Sequence, residues 1–285
     1  MLQKIETSPP KATSPLEQNR NPAFSFEQED FIHAIHSIQN EIKDGNVYQI
    51  NLSGRLGPFA IHNPIQLWHQ LNDSNPAKHA FYWQSPQNTI IGNSPELYLR
   101  LQQQKIESCP IKGTHPSPSI GKSYTNLWDS PKEEAELTMI VDMVRNDLGK
   151  ICKIGSVFTE GRKIRRCGDL LHTEQRIFGT LKEDISNIQA IFSCFPAASI
   201  TGAPKIAAME LIDSVEKVPR NWYTGSFGFL DDSGFGEWNV LIRSIFVEKN
   251  IGFIHIGSGI VFDSHPESEW LETLSKAKAL TSQLI

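Results

Sequence analysis

Cysteine is scarce in this 285-residue chain and arranged neither for disulfide staples nor for metal: Cys109, Cys152, Cys167 and Cys194 are widely and unevenly spaced, with no C-x-x-C pair. That spacing excludes a zinc ribbon, a dithiol redox site and the dense disulfide framework of a small secreted domain, and it fits a reduced, cytoplasmic setting. Excess positive charge is missing too. The formal net charge is −5, so no basic face for nucleic acid is expected, whereas a small anionic ligand needs only local cations. No apolar run approaches the roughly 18 residues of a membrane span, and the N-terminus lacks the apolar segment of a signal peptide. Neither a nucleic-acid nor a membrane partner is expected. What remains is ordinary globular composition, 39% hydrophobic and 21% charged, on a chain long enough for a sizeable core.

Residues 1–24 are polar and rich in Ser, Thr and Pro, and read as a disordered leader; residues 25–285 read as one domain. Ser25-Phe26-Glu27-Gln28 fits a capping box, and Phe31, Ile35, Ile38 and Ile42 follow at helical spacing. Val47–Leu56 and Thr89–Leu101 read as strands, the second interrupted at Gly92-Asn93-Ser94-Pro95. A second helix is predicted over about 133–148, with Leu137, Ile140, Val141, Val144 and Leu148 on its apolar face. Another helix starts near Pro204, strands Phe227–Leu230, Val240–Val247, Gly252–Ile256 and Ile260–Phe262 follow, and a last helix covers about 266–283. Strands cluster in hairpin-like groups with helices between the groups, which predicts an α+β fold with largely antiparallel sheet.

Several segments could carry chemistry. Lys112 lies between Pro110 and Gly113 with Pro116 beyond, so the spacing leaves no room for a helix or a central strand. Its amine is either a solvated surface charge or a nucleophile aimed into a pocket. Glu133 and Glu136 lie one turn apart at the start of one helix, Glu269 and Glu272 one turn apart near the start of the last. Four convergent carboxylates suit a hard cation such as Mg²⁺; equally, such acids complement a helix dipole, and Glu272 can pair with Lys276 at i+4. Thr201-Gly202-Ala203-Pro204-Lys205 opens a helix where free amides and Lys205 could bind an anion. Gly257-Ser258-Gly259 marks either a close backbone approach or a bulge. Arg243, between Leu241, Ile242, Ile245 and Phe246, needs an acid or a ligand carboxylate as partner. Glu96, in the break after Ser94-Pro95, could be a general acid with a raised pKa. His172 after Leu170-Leu171 is an acid, a donor or a satisfied histidine.

Taken together, Tyr48-Gln49-Ile50-Asn51-Leu52, Ser94-Pro95-Glu96, Pro110–Thr114, Met143–Leu148, Thr201–Lys205, Ile242-Arg243-Ser244, Gly257–Asp263 and Glu269–Lys276 resemble, in order, the motifs of the chorismate-utilising enzymes, the anthranilate, aminodeoxychorismate, isochorismate and salicylate synthases. The resemblance implies two packed antiparallel sheets flanked by helices. At the place of Lys112, members making anthranilate or isochorismate usually carry alanine, and lysine is typical of aminodeoxychorismate synthase component I. At the place of Gln49, members that activate water carry a lysine base. Gln49 therefore resembles the ammonia-using branch, and Lys112 within it the aminodeoxychorismate member.

The roles implied follow from that resemblance. Glu136 and Glu272 would bind Mg²⁺ directly, and Glu133 and Glu269 through water. Glu96 would protonate the departing C4 hydroxyl of chorismate while Lys112 attacks C2, with His172 beside the leaving group. Gly113, Thr114, Lys205, Tyr223, Arg243, Gly257, Ser258, Gly259 and Lys276 would hold the substrate. Ammonia would come from a separate glutamine amidotransferase subunit, because no Cys-His-Glu pattern of that activity is present here. After His172 the family has a Leu-Val-Ser-like stretch, and this chain has Thr173-Glu174-Gln175. A region forming roughly the first third of full-length relatives has no counterpart here. Two alternatives accompany the reading: anthranilate synthase component I, and a non-catalytic chorismate-binding or glutaminase-docking protein.

Overall fold

The computed structural model describes residues 22–116, 128, 130–167, 170–281 and 284. In chain order the strands are β1 (Ala23–Phe24), β2 (Gln49–Ala60), β3 (His79–Gln84), β4 (Asn88–Ser94), β5 (Leu97–Gln102), β6 (Lys105–Cys109), β7 (Ile111–Pro116), β8 (Phe158–Thr159), β9 (Lys163–Cys167), β10 (Leu170–Glu174), β11 (Ile177–Thr180), β12 (Gly202–Ala203), β13 (Ser226–Leu230), β14 (Phe235–Val240), β15 (Ser244–Glu248) and β16 (Ile251–Ile260). The helices are α1 (Gln28–Lys43), α2 (Pro64–Ser74), α3 (Pro131–Ile151), α4 (Asn187–Cys194), α5 (Lys205–Val215) and α6 (Pro266–Thr281). A seven-stranded sheet runs β1-β2-β16-β15-β4-β3 with β12 also on β2, and a six-stranded sheet runs β13-β14-β5-β6-β11-β8. Among the described residues every strand pair is antiparallel. The expected α+β class is the observed one.

Helices cover the sheets with the faces their periodicity predicts. Leu137, Ile140, Val141, Val144 and Leu148 of α3 share a core with Leu99 and Leu101 of β5 and Ile106 of β6. Phe31, Ile35 and Ile38 of α1 pack with Ile50 and Leu52 of β2, Ile260 of β16 and Trp270 of α6. Each such buried side chain contributes about 1.5–3 kcal/mol of hydrophobic stabilisation. Helix α2 was not predicted, although Asn63 caps it by accepting from the Gln66 amide, Pro64 opens it, and Leu67 and Leu71 are its buried pair. No helix among the described residues is long and apolar enough to cross a membrane.

Local expectations fail where distant chain intervenes. Helix α1 starts at Gln28 without a side-chain cap, because the Ser25 hydroxyl accepts from the Arg55 amide of β2 instead. The expected leader reached residue 24, yet Ala23–Phe24 pairs with Leu56 and Gly57, and the Phe24 ring sits 5.7 Å from Trp270; residues 1–21 lie outside the described residues. A third, three-stranded sheet of order β7-β10-β9 was not foreseen. It prolongs the β6–β11 ladder past Pro110, whose missing N–H interrupts the pairing while its carbonyl still accepts from Gln175. Lys112 is thus on an edge strand, not in irregular chain, and an edge is where a sheet tolerates prolines. The glycines of Gly257-Ser258-Gly259 neither bulge nor break the chain: they lie inside β16, in regular register with β2.

Candidate active site

The two large sheets are joined by a pair of antiparallel crossovers. Strand β4 of one continues through Pro95 and Glu96 into β5 of the other, and β14 returns through Leu241–Arg243 into β15. The Val240 amide donates to the Glu96 carbonyl at 3.2 Å, and the Asn93 amide to the Arg243 carbonyl at 3.1 Å, so the ladder is pinned across the break. The predicted strand Val240–Val247 is therefore split, with Arg243 at φ 50° in the crossover itself. A left-handed conformation at a non-glycine residue re-aims its side chain. Glu96 and Arg243 leave the sheets where the ladder changes sides.

Glu96 is 3% exposed, and the Ser199 hydroxyl donates to its Oε1 at 2.5 Å. Burial pushes its carboxyl up to about 7; Ser199, then Lys112, the Ile111 backbone and Arg243, pull it back. A carboxyl raised that far above the usual carboxylate range can hold a proton near neutral pH and give it up. Ser199 carried no signal in the sequence: it lies 103 residues from Glu96, on a short 3₁₀ turn at Ala198–Ile200.

Lys112 on β7 is opposite Thr173 on β10, and His172 lies at the register shift beside it. The Thr173 hydroxyl donates to the Lys112 carbonyl at 3.0 Å. His172 is 1% exposed; its Nδ1 lies 2.6 Å from the Gly113 carbonyl and its Nε2 3.2 Å from an Arg243 guanidinium nitrogen. A carbonyl only accepts and a guanidinium only donates, so Nδ1 carries the proton and Nε2 accepts. With both nitrogens engaged, His172 serves as a post for Arg243. Lys112 Nζ stands 3.7 Å from Glu136 Oε2 with its side chain 12% exposed, so the amine is not a surface charge. A Cβ on Gly259 would come within 3.3 Å of that Nζ and 3.0 Å of Gln49 Nε2. Glycine at 259 is what lets β16 pass beneath the amine.

The acids occupy the expected helices. Glu133 and Glu136 rise from the start of α3, where the Ser130 hydroxyl caps the Glu133 amide at 3.3 Å. On α6, buried Glu269 accepts from the Ser264 hydroxyl at 2.9 Å, while more exposed Glu272 pairs with Lys276 at 2.8 Å. Lys276 also donates to the Gly257 carbonyl at 3.3 Å, and Ser258 shares a hydrogen bond with Thr273, which seats α6 on β16. Among the described residues no three His, Cys, Asp or Glu side chains are gathered closely enough to hold an ion. The donors nevertheless suit Mg²⁺ chemically: carboxylate oxygens in i, i+3 pairs on two helices, Glu136 and Glu272 each balanced by a lysine that an ion would replace.

Of the remaining expected residues, Gly113 and Thr114 lie on β7, the side chain of Thr114 outside the described set. Tyr223 is buried, its ring 5.3 Å from that of His255 and its hydroxyl pKa raised by burial. The Lys205 amine binds Asp147 at 2.6 Å and the Cys194 carbonyl at 2.7 Å, tying α5 to α3 and α4. Arg220 was not foreseen. It bonds Glu216 and the carbonyls of Ile200 and Asn51, and so fastens the loop before Tyr223 to β2.

Comparison with known proteins bears on what this arrangement does. A family model described as chorismate binding enzyme matches residues 1–282. Anthranilate synthase component 1 of Saccharolobus solfataricus is 36% identical over 248 residues, covering 85% of this chain and 59% of that protein. Aminodeoxychorismate synthase component 1 of Bacillus subtilis is 34% identical over 270 residues, covering 92% of this chain and 57% of that protein. The crystal structure of anthranilate synthase component I from Streptococcus pneumoniae superposes with a TM-score of 0.84 at 27% identity, over 95% of this chain and 62% of that one. The chain spans less than two thirds of the length of each of these proteins. A match along nearly all of its residues, joined to the shared fold, makes this chain a member of the chorismate-binding enzyme family.

Proposed function

We propose that the chain acts as aminodeoxychorismate synthase component I, aminating chorismate at C4 with ammonia to give 4-amino-4-deoxychorismate, a precursor of para-aminobenzoate and folate. The observation that carries this is Lys112: its amine stands over Gly259 beside Glu136, within the electrostatic reach of Glu96. The name of the Bacillus subtilis relative agrees.

In the proposed reaction the Lys112 amine, having passed a proton to a neighbouring carboxylate, forms a bond to ring carbon C2. The two ring double bonds shift, the C4–O bond breaks, and the Glu96 carboxyl gives its proton to the leaving hydroxyl, which departs as water. Ammonia then bonds to C4, the double bonds shift back, and the C2–N bond to Lys112 breaks. Two displacements replace one difficult substitution. Arg243, held by His172, and the Gly257–Gly259 backbone would orient the substrate. Mg²⁺ held by Glu136 and Glu272, with Glu133 and Glu269 through water, would supply Lewis acidity at the ring carboxylate. Ammonia would be delivered by a separate glutamine amidotransferase subunit.

A second reading, anthranilate synthase component I, is favoured by the names of the Saccharolobus and Streptococcus relatives. Purified chain given chorismate, Mg²⁺ and ammonium separates the two. Product that keeps its pyruvyl ether is expected; anthranilate with released pyruvate would overturn the amination reading, and binding without turnover would favour a non-catalytic protein. In the same assay Glu272→Gln should raise the Mg²⁺ concentration needed for half-maximal rate, and an unmoved titration would remove Glu272 from the metal site.

A further inference from the structure

Two spaces adjoin the Glu96 side chain. In one, the charges of Lys112 and Arg243 act on its carboxyl. The other is a cavity of about 20 Å³, which Glu96 and Ser199 line together with Leu97 and Tyr98 of β5 and Val144 and Leu148 of α3. Lys112 and Arg243 are not among its walls. A space of that size takes one water molecule or one carboxylate oxygen. A glutamate side chain turns about several single bonds, so the carboxyl needs a restraint if it is to stay on the side of Lys112.

Ser199 supplies it. The Ser199 hydroxyl is buried, and among the described residues the Glu96 carboxyl is its hydrogen-bond partner. A buried hydroxyl hydrogen needs an acceptor. If Oε1 held the acidic proton and gave it to Ser199, the serine hydrogen would have none. Ser199 therefore donates to Oε1, and the proton of neutral Glu96 belongs on Oε2. The turn that carries Ser199 is itself fixed. The Thr201 hydroxyl donates to the Ala197 carbonyl at 2.9 Å, and the Arg220 guanidinium to the Ile200 carbonyl at 2.8 Å.

We propose that Ser199 is the positioning residue of the proton donor: its hydroxyl holds Oε1, leaves the proton on Oε2 and keeps the carboxyl out of the cavity. Oε2 is then the oxygen presented to the departing hydroxyl. As that hydroxyl takes the proton, the C4–O electron pair leaves with the oxygen as water, and the carboxylate stays hydrogen-bonded to Ser199. This rests on Glu96 as proton donor, a role that amination at C4 and anthranilate formation share, since neither product keeps the C4 hydroxyl. The other groups facing Glu96 are the Lys112 and Arg243 cations and the Ile111 backbone, which favour the carboxylate. Around the cavity Asp147 is paired with Lys205 at 2.6 Å and Lys150 at 3.2 Å, while burial keeps Tyr98 and Cys194 neutral. Replacing Ser199 therefore alters the hold on Glu96 without removing a charge.

Steady-state turnover of the full chain with chorismate and Mg²⁺, at constant free ammonia and varied pH, tests it. Ser199→Ala should lower kcat about 10- to 100-fold, the scale of one hydrogen bond to a charged group. The KM for chorismate should stay within about twofold, because the lost contact is to the enzyme's own acid. Donation from Ser199 favours the ionised carboxyl, so its loss should move the fall of kcat/KM to higher pH. Ser199→Thr and Ser199→Val share one shape and differ by the hydroxyl. Threonine should bring kcat to within about threefold of wild type, and valine should behave as alanine. If thermal melts show that the alanine variant does not fold, Ser199→Cys, a weak donor of similar size, takes its place. An unmoved pH profile or a wild-type kcat in the alanine variant would overturn the proposal, as would threonine and valine variants equally impaired. Wild-type chain that turns over no chorismate overturns the reading of Glu96 as proton donor. Active wild type beside an equally active alanine variant overturns the Ser199 proposal alone.

Discussion

Lys112 Nζ approaches Glu136 Oε2 to 3.7 Å, joining an edge strand to the first turns of the helix that follows it in sequence. The contact holds a flexible amine over the glycine floor of β16. Lys112→Ala should therefore abolish any mass shift of the intact protein on incubation with chorismate and Mg²⁺, and should lower amination on the order of 100-fold, as for other groups that act in the transition state. Adduct formation that survives the substitution would place the nucleophile elsewhere.

Glu96, with its carboxyl raised by burial from 4.5 to about 7, links activity and stability to pH. In the proposed role of proton donor it must be protonated, so kcat/KM is expected to fall as pH rises through about 7. The folded state binds this proton more tightly than the unfolded chain. Its contribution to stability is therefore complete below about 4.5 and lost as pH rises through about 7. Glu96→Gln should slow turnover by roughly 10²- to 10⁴-fold and should lose wild-type's relative destabilisation above neutral pH. Melting temperatures of both proteins between pH 4 and pH 8 check the second point; parallel curves would contradict it.

Gly259→Ala places a methyl group 3.0 Å from Gln49 Nε2 and 3.3 Å from Lys112 Nζ. Both obstacles are side-chain ends, which can shift, so the fold should survive while the amine is displaced. The expected outcome is a lower kcat with a melting temperature within a few degrees of wild type. Full activity would mean that the amine does not work from its place above β16.

Arg220 ties Glu216 and two backbone carbonyls together with 14% of its side chain exposed. Removing one partner of such a buried pair costs about 3–5 kcal/mol, so Arg220→Ala should lower the denaturant midpoint strongly. A stability change under 1 kcal/mol, on the scale of an exposed ion pair, would show that the network relaxes without it.

Local pattern made much of this molecule legible. The apolar repeats of α1 and α3 report which of their own faces is buried, because a helix returns a side chain to the same face every three or four residues. The order of short motifs pointed to the family, and the acid pairs on α3 and α6 could be placed from spacing alone. Edge placement of Lys112 was half visible: prolines excluded a central strand, but only β10 shows where the edge lies.

Sequence by itself thus determined the elements, their buried faces, the family resemblance and the set of residues worth watching. Tertiary structure decided the encounters: Ser199 with Glu96 across 103 residues, Arg243 with His172 across 71, and the Lys112 amine with Glu136 above Gly259. Periodicity reports how a residue sits within its own element. Which side chains meet depends on strand register and on crossovers between sheets, set by packing over the whole chain.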